Sequence, residues 1–242
     1  MSAPFLSIVL PAHNEEGRLP ATLDELDAFI AQQPYACEVV VVENGSHDRT
    51  LELAQNLAAQ RPYLRVIHEE RRGKGLAVKT GMLAARGTYR IFCDVDFSMP
   101  VPEINRFIPP MLPDSQVAIG SREAPGSVRY HEPYLRHLSG RVFNTLVRWI
   151  AMPGIQDTQC GFKCFRGDIA EEVFPLQTIN GWTFDVEVLF IARQRGYRIT
   201  EVGIPWYFNP GSKVRLLRDS WYMLLDLIQI RRNARDGAYN RR

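Results

Sequence analysis

No stretch of this 242-residue chain offers the roughly 20 consecutive apolar residues that a bilayer-spanning helix needs. Cysteine is scarce: Cys37, Cys93, Cys160 and Cys164 include no CxxC pair, which excludes the familiar zinc spacings. A chain this long needs no disulfide scaffold, so the four are expected reduced and buried. Charge of one sign is lacking too. The 29 Lys and Arg against 27 Asp and Glu leave a net +2, too little to draw the whole molecule to nucleic acid. No linker rich in Gly, Ser or Pro and no internal repeat divides the chain, and neither GxGxxG nor a Walker motif occurs. The opening MSAPFLSIVLPAHNEE has no positive run ahead of its short apolar stretch, so no secretory signal is expected. The expectation is a cytoplasmic protein, lying at most on the cytoplasmic face of a membrane.

What is present is a 45% hydrophobic, 23% charged composition, ample for a packed core. Short apolar runs at 5–10, 38–42, 64–67, 89–93 and 116–121 predict strands covered on both faces. Helical spacing of Leu19, Leu23, Leu26 and Ile30 fills the first gap, behind Pro20 in a first turn. Helices are expected at 49–60 and 73–86, and the alternation implies a mostly parallel sheet flanked by helices. After Gly126 the rhythm changes, with helices expected at 134–151, 183–195 and 213–233 and a strand at 198–204. The expectation is one α/β domain over 1–242, with a ligand-binding half (1–126), a second half (127–211) and a basic amphipathic tail (212–242).

In an open parallel sheet, ligands bind beyond the carboxyl ends of the strands. Three polar clusters are expected there: Pro11-Ala12-His13-Asn14-Glu15-Glu16, Glu43-Asn44-Gly45-Ser46, and Asp94-Val95-Asp96. Asp94 and Asp96, one residue apart after a buried strand, suit a hard cation such as Mg²⁺ or Mn²⁺ shared with substrate phosphates. The competing reading is a solvated Asp-rich turn. Glu43, an acceptor-only group, suits the imide N–H of a uracil ring, or else caps the next helix. Arg71-Arg72-Gly73-Lys74-Gly75 opens a helix with cations and small residues, either a pyrophosphate cradle or a basic solvated loop.

In order along the chain, PAHNEE (11–16), VENGSHDRT (42–50), RGKGLAVKTGMLAARG (72–87), DVD (94–96) and GSR (120–122) resemble the motifs of the GT-A-fold, family 2 glycosyltransferases that act on polyprenyl phosphates. DTQCGFKCF (157–165) and WTFDVEVLFIA (182–192) are close to signatures of the dolichyl-phosphate β-glucosyltransferases, and mannosyl relatives are similar. The resemblance runs from Pro11 to about Lys213. It implies inverting transfer of a hexose from a nucleotide sugar, UDP-glucose foremost, to a polyprenyl or dolichyl phosphate. It places Pro11, Ala12, Asn14, Glu15, Glu43, Lys74, Asp94 and Val95 on the donor, and the metal on Asp96 with Asp94. Asp96 and Asp157 become the catalytic candidates, Asp157 as base or positioning carboxylate. Arg122, Arg136, Ser139, Arg141 and Lys213 would face the acceptor phosphate, while Asp185 and Glu187 either orient acceptor-side groups or support the fold. Two departures stand out: Glu43-Asn44 where the family often has Asp-Asp, and Ser98 where mannosyl relatives often carry Gln.

The small net charge conceals a division. Segment 205–242 holds eight basic and three acidic residues, segment 127–150 four and one, and the rest 17 and 23. On helical wheels, Leu135, Leu138, Val142, Phe143, Leu146, Trp149 and Ile150 gather opposite His137, Arg141 and Arg148. Leu217, Trp221, Leu224, Leu225 and Ile228 gather opposite Arg215, Arg218 and Asp219. Such helices either lie in a membrane interface or pack on the sheet. Two further functions stay open on the sequence: a family 2 enzyme using GDP-mannose or a glycan hydroxyl, and a non-catalytic nucleotide-sugar-binding protein.

Overall fold

Residues that alternate between two apolar faces build the centre of the computed structural model, a seven-stranded sheet with helices on both sides. The structure describes residues 3–209 and 216–240, leaving aside the side chains of 134–136, 138, 139, 142, 143 and 216–220. The first half runs β1 (Leu6–Ala12), α1 (Leu19–Ala31), β2 (Cys37–Glu43), α2 (Thr50–Ala58), β3 (Leu64–His68), α3 (Lys74–Ala84) and β4 (Tyr89–Phe92). There follow β5 (Val117–Ser121), β6 (Val128–Tyr130), α4 (Tyr134–Ile150), β7 (Lys163–Arg166) and α5 (Gly167–Val173). The chain continues through α6 (Phe184–Gln194), β8 (Ile199–Gly203), β9 (Pro205–Tyr207) and α7 (Leu216–Arg235). The sheet order is β3-β2-β1-β4-β7-β5-β8, and β6 pairs with β9 in a separate ribbon.

The expected mostly parallel sheet is present. β7 alone runs antiparallel to its neighbours. Residues on the two sides of Gly126 enter this one sheet. Ala12 lies opposite Glu43, and Glu43 opposite His68, so three strands finish level. Pro11 and Ala12 do not follow β1 but end it, because β2 extends far enough to pair with both. β4 pairs only with Leu6–Val9, so the missing N–H of Pro11 breaks no bond on that side.

β7, like β6, β9 and α5, is an element that sequence periodicity did not reveal. Cys164 joins the core on one face of the sheet and Phe165 the core on the other. Its direction matters more than its length. Lys163, its first residue, lies opposite Phe92 and Ile119 near the ends of β4 and β5, so residues 157–162 are delivered to the rim where the parallel strands end.

The two late helices depart from the expected wheels. In α7 the buried stripe is Met223, Leu227 and Ile230, whereas Trp221, Leu225 and Ile228 are exposed. In α4, Asn144 and Val147 are buried, while Leu146 is exposed and Trp149 is 81% exposed. The packing of α7 selects the neighbouring stripe, and the aromatic stripes are left outside. Leu217, Arg218 and Asp219 contribute side chains outside the described residues, as do Leu135, Leu138, Val142 and Phe143. Arg215 is itself outside them.

Candidate active site

At the carboxyl rim, three loops are tied together by side chains that spend their polar atoms on one another's backbone. The Asn44 side chain, 4% exposed, donates to the carbonyls of Glu69 (3.3 Å) and Arg71 (2.5 Å) and accepts the Gly73 N–H at 2.8 Å. Its backbone N–H donates to Ala12 O at 2.9 Å. One amide thus joins the ends of β1 and β2 to the loop that opens α3. Its donor-and-acceptor character explains the departure from Asp: a carboxylate would point an anion at two carbonyls. Asn14 adopts φ +52°, a left-handed conformation that Asn tolerates. Its N–H donates to Ser46 Oγ, its Oδ1 accepts the His47 N–H, and the Glu15 N–H donates to Thr50 Oγ1.

Glu43, 1% exposed, accepts from the Ser46 N–H and from His68 Nδ1, each at 2.5 Å. Burial pushes its carboxyl up, but these hydrogen bonds outweigh burial and hold it below the ordinary glutamate value. It therefore sits ionised at the end of β2, opposite His68.

Asp94 follows β4 and pairs with Lys74, the first residue of α3, at 2.6 Å. Burial disfavours the Lys74 ammonium, yet the carboxylates of Asp94, Asp185 and Asp96 prevail and raise its pKa. The ring of Trp182 lies 5.1 Å from the same ammonium. Gly161, carried in ahead of β7, backs the Asp94 carboxylate so closely that any Cβ there would collide with it. Asp96 accepts from Ser98 Oγ at 3.2 Å, and burial, followed by the charge of Asp94, raises its pKa. Val95 turns into the core at 3% exposure with its carbonyl held by Thr22 Oγ1 at 2.6 Å. Ala12 is likewise buried, so neither side chain lines the rim, whereas Pro11 is half-buried there.

Two mutually repelling carboxylates form the hard oxygen site that a divalent cation relieves, so the residues present fit Mg²⁺ or Mn²⁺. Among the described residues no cluster of three His, Cys, Asp or Glu forms, so further ligands would be water and substrate phosphate oxygens.

Across the rim, Asp157 is fully buried and holds Arg122 through Nε (2.7 Å), Nη2 (2.9 Å) and the backbone N–H (3.0 Å). Burial opposes its ionisation, but the guanidinium holds the Asp157 carboxyl well below the usual carboxylate range. Glu201 in turn accepts the N–H groups of Gln156 and Asp157. The Arg122 and Arg129 guanidinium carbons lie 5.4 and 5.9 Å from the centre of the Trp206 ring on β9. Arg129 pairs with Glu123 and Glu132 and borders an open cleft of about 340 Å³ with His131 and His137. Arg141 is exposed on α4. Arg136 and Ser139 lie on α4 with side chains outside the described residues, and Lys213 is outside them altogether.

The structure therefore brings together Asn14, Glu15 and Glu43 in one set of tied loops, Lys74, Asp94 and Asp96 beside them, and Arg122 with Asp157 in a third group. Sequence reasoning missed Asn44 as the tie, Gly161 as the backing of Asp94, and Thr22 as the anchor of Val95. Asn44 and Gly161 carried a signal, their places in VENGSHDRT and DTQCGFKCF, and Thr22 carried none. Glu187 is part of the fold: it accepts the N–H groups of Thr178 and Ile179 and the Tyr239 hydroxyl.

Residues 7–174 match the model of the family described as glycosyl transferase family 2. A Dictyostelium discoideum protein named dolichyl-phosphate beta-glucosyltransferase is 32% identical over 94% of this chain and 74% of its own. The Saccharomyces cerevisiae protein of the same name is 33% identical over 97% of this chain and 76% of its own. In three dimensions, glucosyl-3-phosphoglycerate synthase from Mycobacterium tuberculosis, solved with Mn²⁺, UDP-glucose and phosphoglyceric acid, superimposes with a TM-score of 0.67. That match covers 94% of this chain and 79% of the other at 20% identity, and it bears on the fold.

Proposed function

The chain belongs to glycosyl transferase family 2, and from that premise we propose that it transfers glucose from UDP-glucose to dolichyl or another polyprenyl phosphate. It is a hexosyltransferase. The observation that carries the reading is the rim itself, where Lys74, Asp94 and Asp96 stand on one side and the buried Arg122–Asp157 pair on the other. Pro11, Asn14, Glu15 and the ionised Glu43 bound the nucleoside pocket, with Lys74 directed to the diphosphate. Asp96 and Asp94 would hold Mg²⁺ or Mn²⁺, which when bound neutralises charge on the departing nucleoside diphosphate.

The acceptor sets the demand on the remaining residues. A phosphate monoester has its second pKa near 6, so about neutral pH its oxygen is already anionic and needs little help from a base. A carboxylate buried and engaged by four N–H donors is a poor base, and Asp157 serves instead to hold Arg122. Arg122 then presents a fixed cation to an anion that must approach another anion. Arg141, Arg136, Ser139 and Lys213 extend that acceptor side. Attack opposite the nucleotide yields the β-linked product from an α-linked donor.

The exposed Trp149, Trp221, Leu225 and Ile228, together with the exposed Arg141, Arg148, Arg231, Arg232 and Arg235, support attachment to an anionic, cytoplasmic membrane face. No described helix is long and apolar enough to cross a membrane.

One panel tests the proposal: UDP- and GDP-sugars, with Mg²⁺, Mn²⁺ or chelator, with and without a polyprenyl phosphate. Glucosyl phospholipid formed from UDP-glucose only when metal and lipid phosphate are present supports it. Transfer to a glycan hydroxyl without lipid phosphate, or a preference for GDP-mannose, would replace it.

A further inference from the structure

The first turn of α3 is held by a segment from the other half of the chain. Gly75 spends both backbone groups on it: its N–H donates to Asn180 O at 2.9 Å, and its carbonyl accepts from Gln177 Nε2 at 2.8 Å. A Cβ on Gly73 would stand 2.5 Å from Asn180 O, and one on Gly75 2.6 Å from Phe184 Cβ, so this close approach needs both glycines. The Gly73 N–H is also taken, by Asn44 Oδ1. With those two donors engaged, the start of α3 meets the rim through the side chain between the glycines, Lys74, paired with Asp94. The Trp182 ring, from the same segment 177–184, lies 5.1 Å from the Lys74 ammonium.

That segment is in turn fixed from α7. Near one end Asn233 Nδ2 donates to Thr178 Oγ1 at 3.1 Å, and near the other the Thr183 hydroxyl donates to Asp226 Oδ2 at 2.6 Å. The second bond is the more telling. Thr183 is the N-cap residue of α6, where a threonine hydroxyl ordinarily accepts an N–H of its own helix. Here the side chain makes no such cap, and the fully buried Thr183 reaches 43 residues along the chain instead. Asp226, half-buried beside the stripe of Met223, Leu227 and Ile230, gains the donor that a partly desolvated carboxylate needs. The bond thus joins the helix that carries the exposed Leu225 and Ile228 to the residue next to Trp182.

We propose that Thr183 and Asp226 are positioning residues for the donor end of the site. Their bond holds segment 177–184, and with it the Trp182 ring, against the first turn of α3, so that α7 braces Lys74 where a nucleoside diphosphate is met. This role rests on the reading of the rim as a nucleotide-sugar site. It gives α7 a part at the donor in addition to the apolar surface it turns outward.

Thr183→Val removes the hydroxyl and keeps the branched shape, while Thr183→Ser keeps the hydroxyl. Asp226→Ala breaks the same bond from the α7 end and stands in for Thr183→Val should that variant not fold. Two readouts are taken on the full chain: UDP affinity by calorimetry in Mn²⁺, and hydrogen exchange of the Gly75 amide without nucleotide, read by NMR. The Val39 and Tyr89 amides, bonded to Tyr63 O and Phe5 O in the sheet, serve as internal references. Thr183→Val and Asp226→Ala should each weaken UDP about three- to tenfold and speed exchange at Gly75 ahead of the references. Thr183→Ser should recover most of both. A folded Thr183→Val or Asp226→Ala protein unchanged in UDP affinity would overturn the proposal. So would a uniform rise in exchange at Gly75 and the references, the mark of a bond that serves global stability alone. Wild-type protein that fails to bind UDP strikes the nucleotide-sugar reading instead, and Gly75 exchange still decides whether the bond braces α3.

Discussion

The two sides of the rim are held by different physics. On the proposed donor side, Asn14, Glu43 and Asn44 cross-link three loops through hydrogen bonds to backbone, and Glu43 and Asn44 are all but buried in doing so. On the proposed acceptor side, the ion pairs of Arg122 with Asp157 and of Arg129 with Glu123 and Glu132 lie against Trp206, while on α4 and α7 Trp149 and Trp221 are 81% and 62% exposed. A small polar ligand is discriminated by fixed donors and acceptors, so its loops are rigid and internally satisfied. Exposed apolar surface of this kind marks a place of association with another surface. Under the proposed function, the donor side is built to recognise and the acceptor side to present.

The largest effect is expected where that contrast is sharpest. Asp157→Ala leaves the Arg122 guanidinium, only 19% exposed, without its partner, a loss of up to about 3–5 kcal/mol of stability. Urea unfolding measures it, and wild-type stability in that variant would mean that the pair does not hold the acceptor side together. Asp96→Asn should separate function from stability. It removes one of two repelling carboxylates, so the melting temperature holds or rises. Transfer should fall about 10²–10³-fold with the loss of a carboxylate that would hold the divalent cation at the diphosphate. A fall in both together would make Asp96 part of the scaffold.

This contrast also separates what was legible from what was not. β1, β2 and α1 announced themselves through periodicity, because burial on two faces imposes a pattern that few residue types satisfy. Asp94 and Asp96 were legible because two carboxylates after an apolar strand need a chemical reason. β7 was not, since four residues inserted between distant strands carry almost no local pattern, and with β7 went the reason that Gly161 and Asp157 reach the rim. Asn44 was passed over because an amide's value lies in three backbone partners from 25 to 29 residues away. The wheels of α4 and α7 located their aromatic stripes, but not which stripe the sheet would cover.

Asn44→Asp tests the donor side more gently, although it restores the residue that relatives often carry. The new carboxylate would face the Glu69 and Arg71 carbonyls, at a cost of about 1–3 kcal/mol. Donor KM should rise with it, and an unchanged melting temperature would break the idea of a single tie. Glu43→Gln yields a smaller effect with a pH signature. The wild-type carboxylate is held below its ordinary value, so its stabilising contribution is whole above about pH 4.3 and lost as pH falls through its lowered pKa. The gap in stability between wild type and Glu43→Gln should be open at pH 7 and close in acid.

On the acceptor surface the same logic predicts almost no effect on stability. Trp149→Ser combined with Trp221→Ser removes two rings that are largely in solvent, so unfolding free energy should stay within about 0.5 kcal/mol of wild type. Pelleting with anionic vesicles at low salt should fall sharply, and the wild-type protein should itself be released as salt screens its arginines. Turnover of a short, water-soluble prenyl phosphate should be untouched, since neither ring belongs to the rim. A stability loss of several kcal/mol would instead show that these rings are core residues in solution. Vesicle binding that survives the double substitution would move the attachment site away from α4 and α7, and with it the side of the rim from which the lipid arrives.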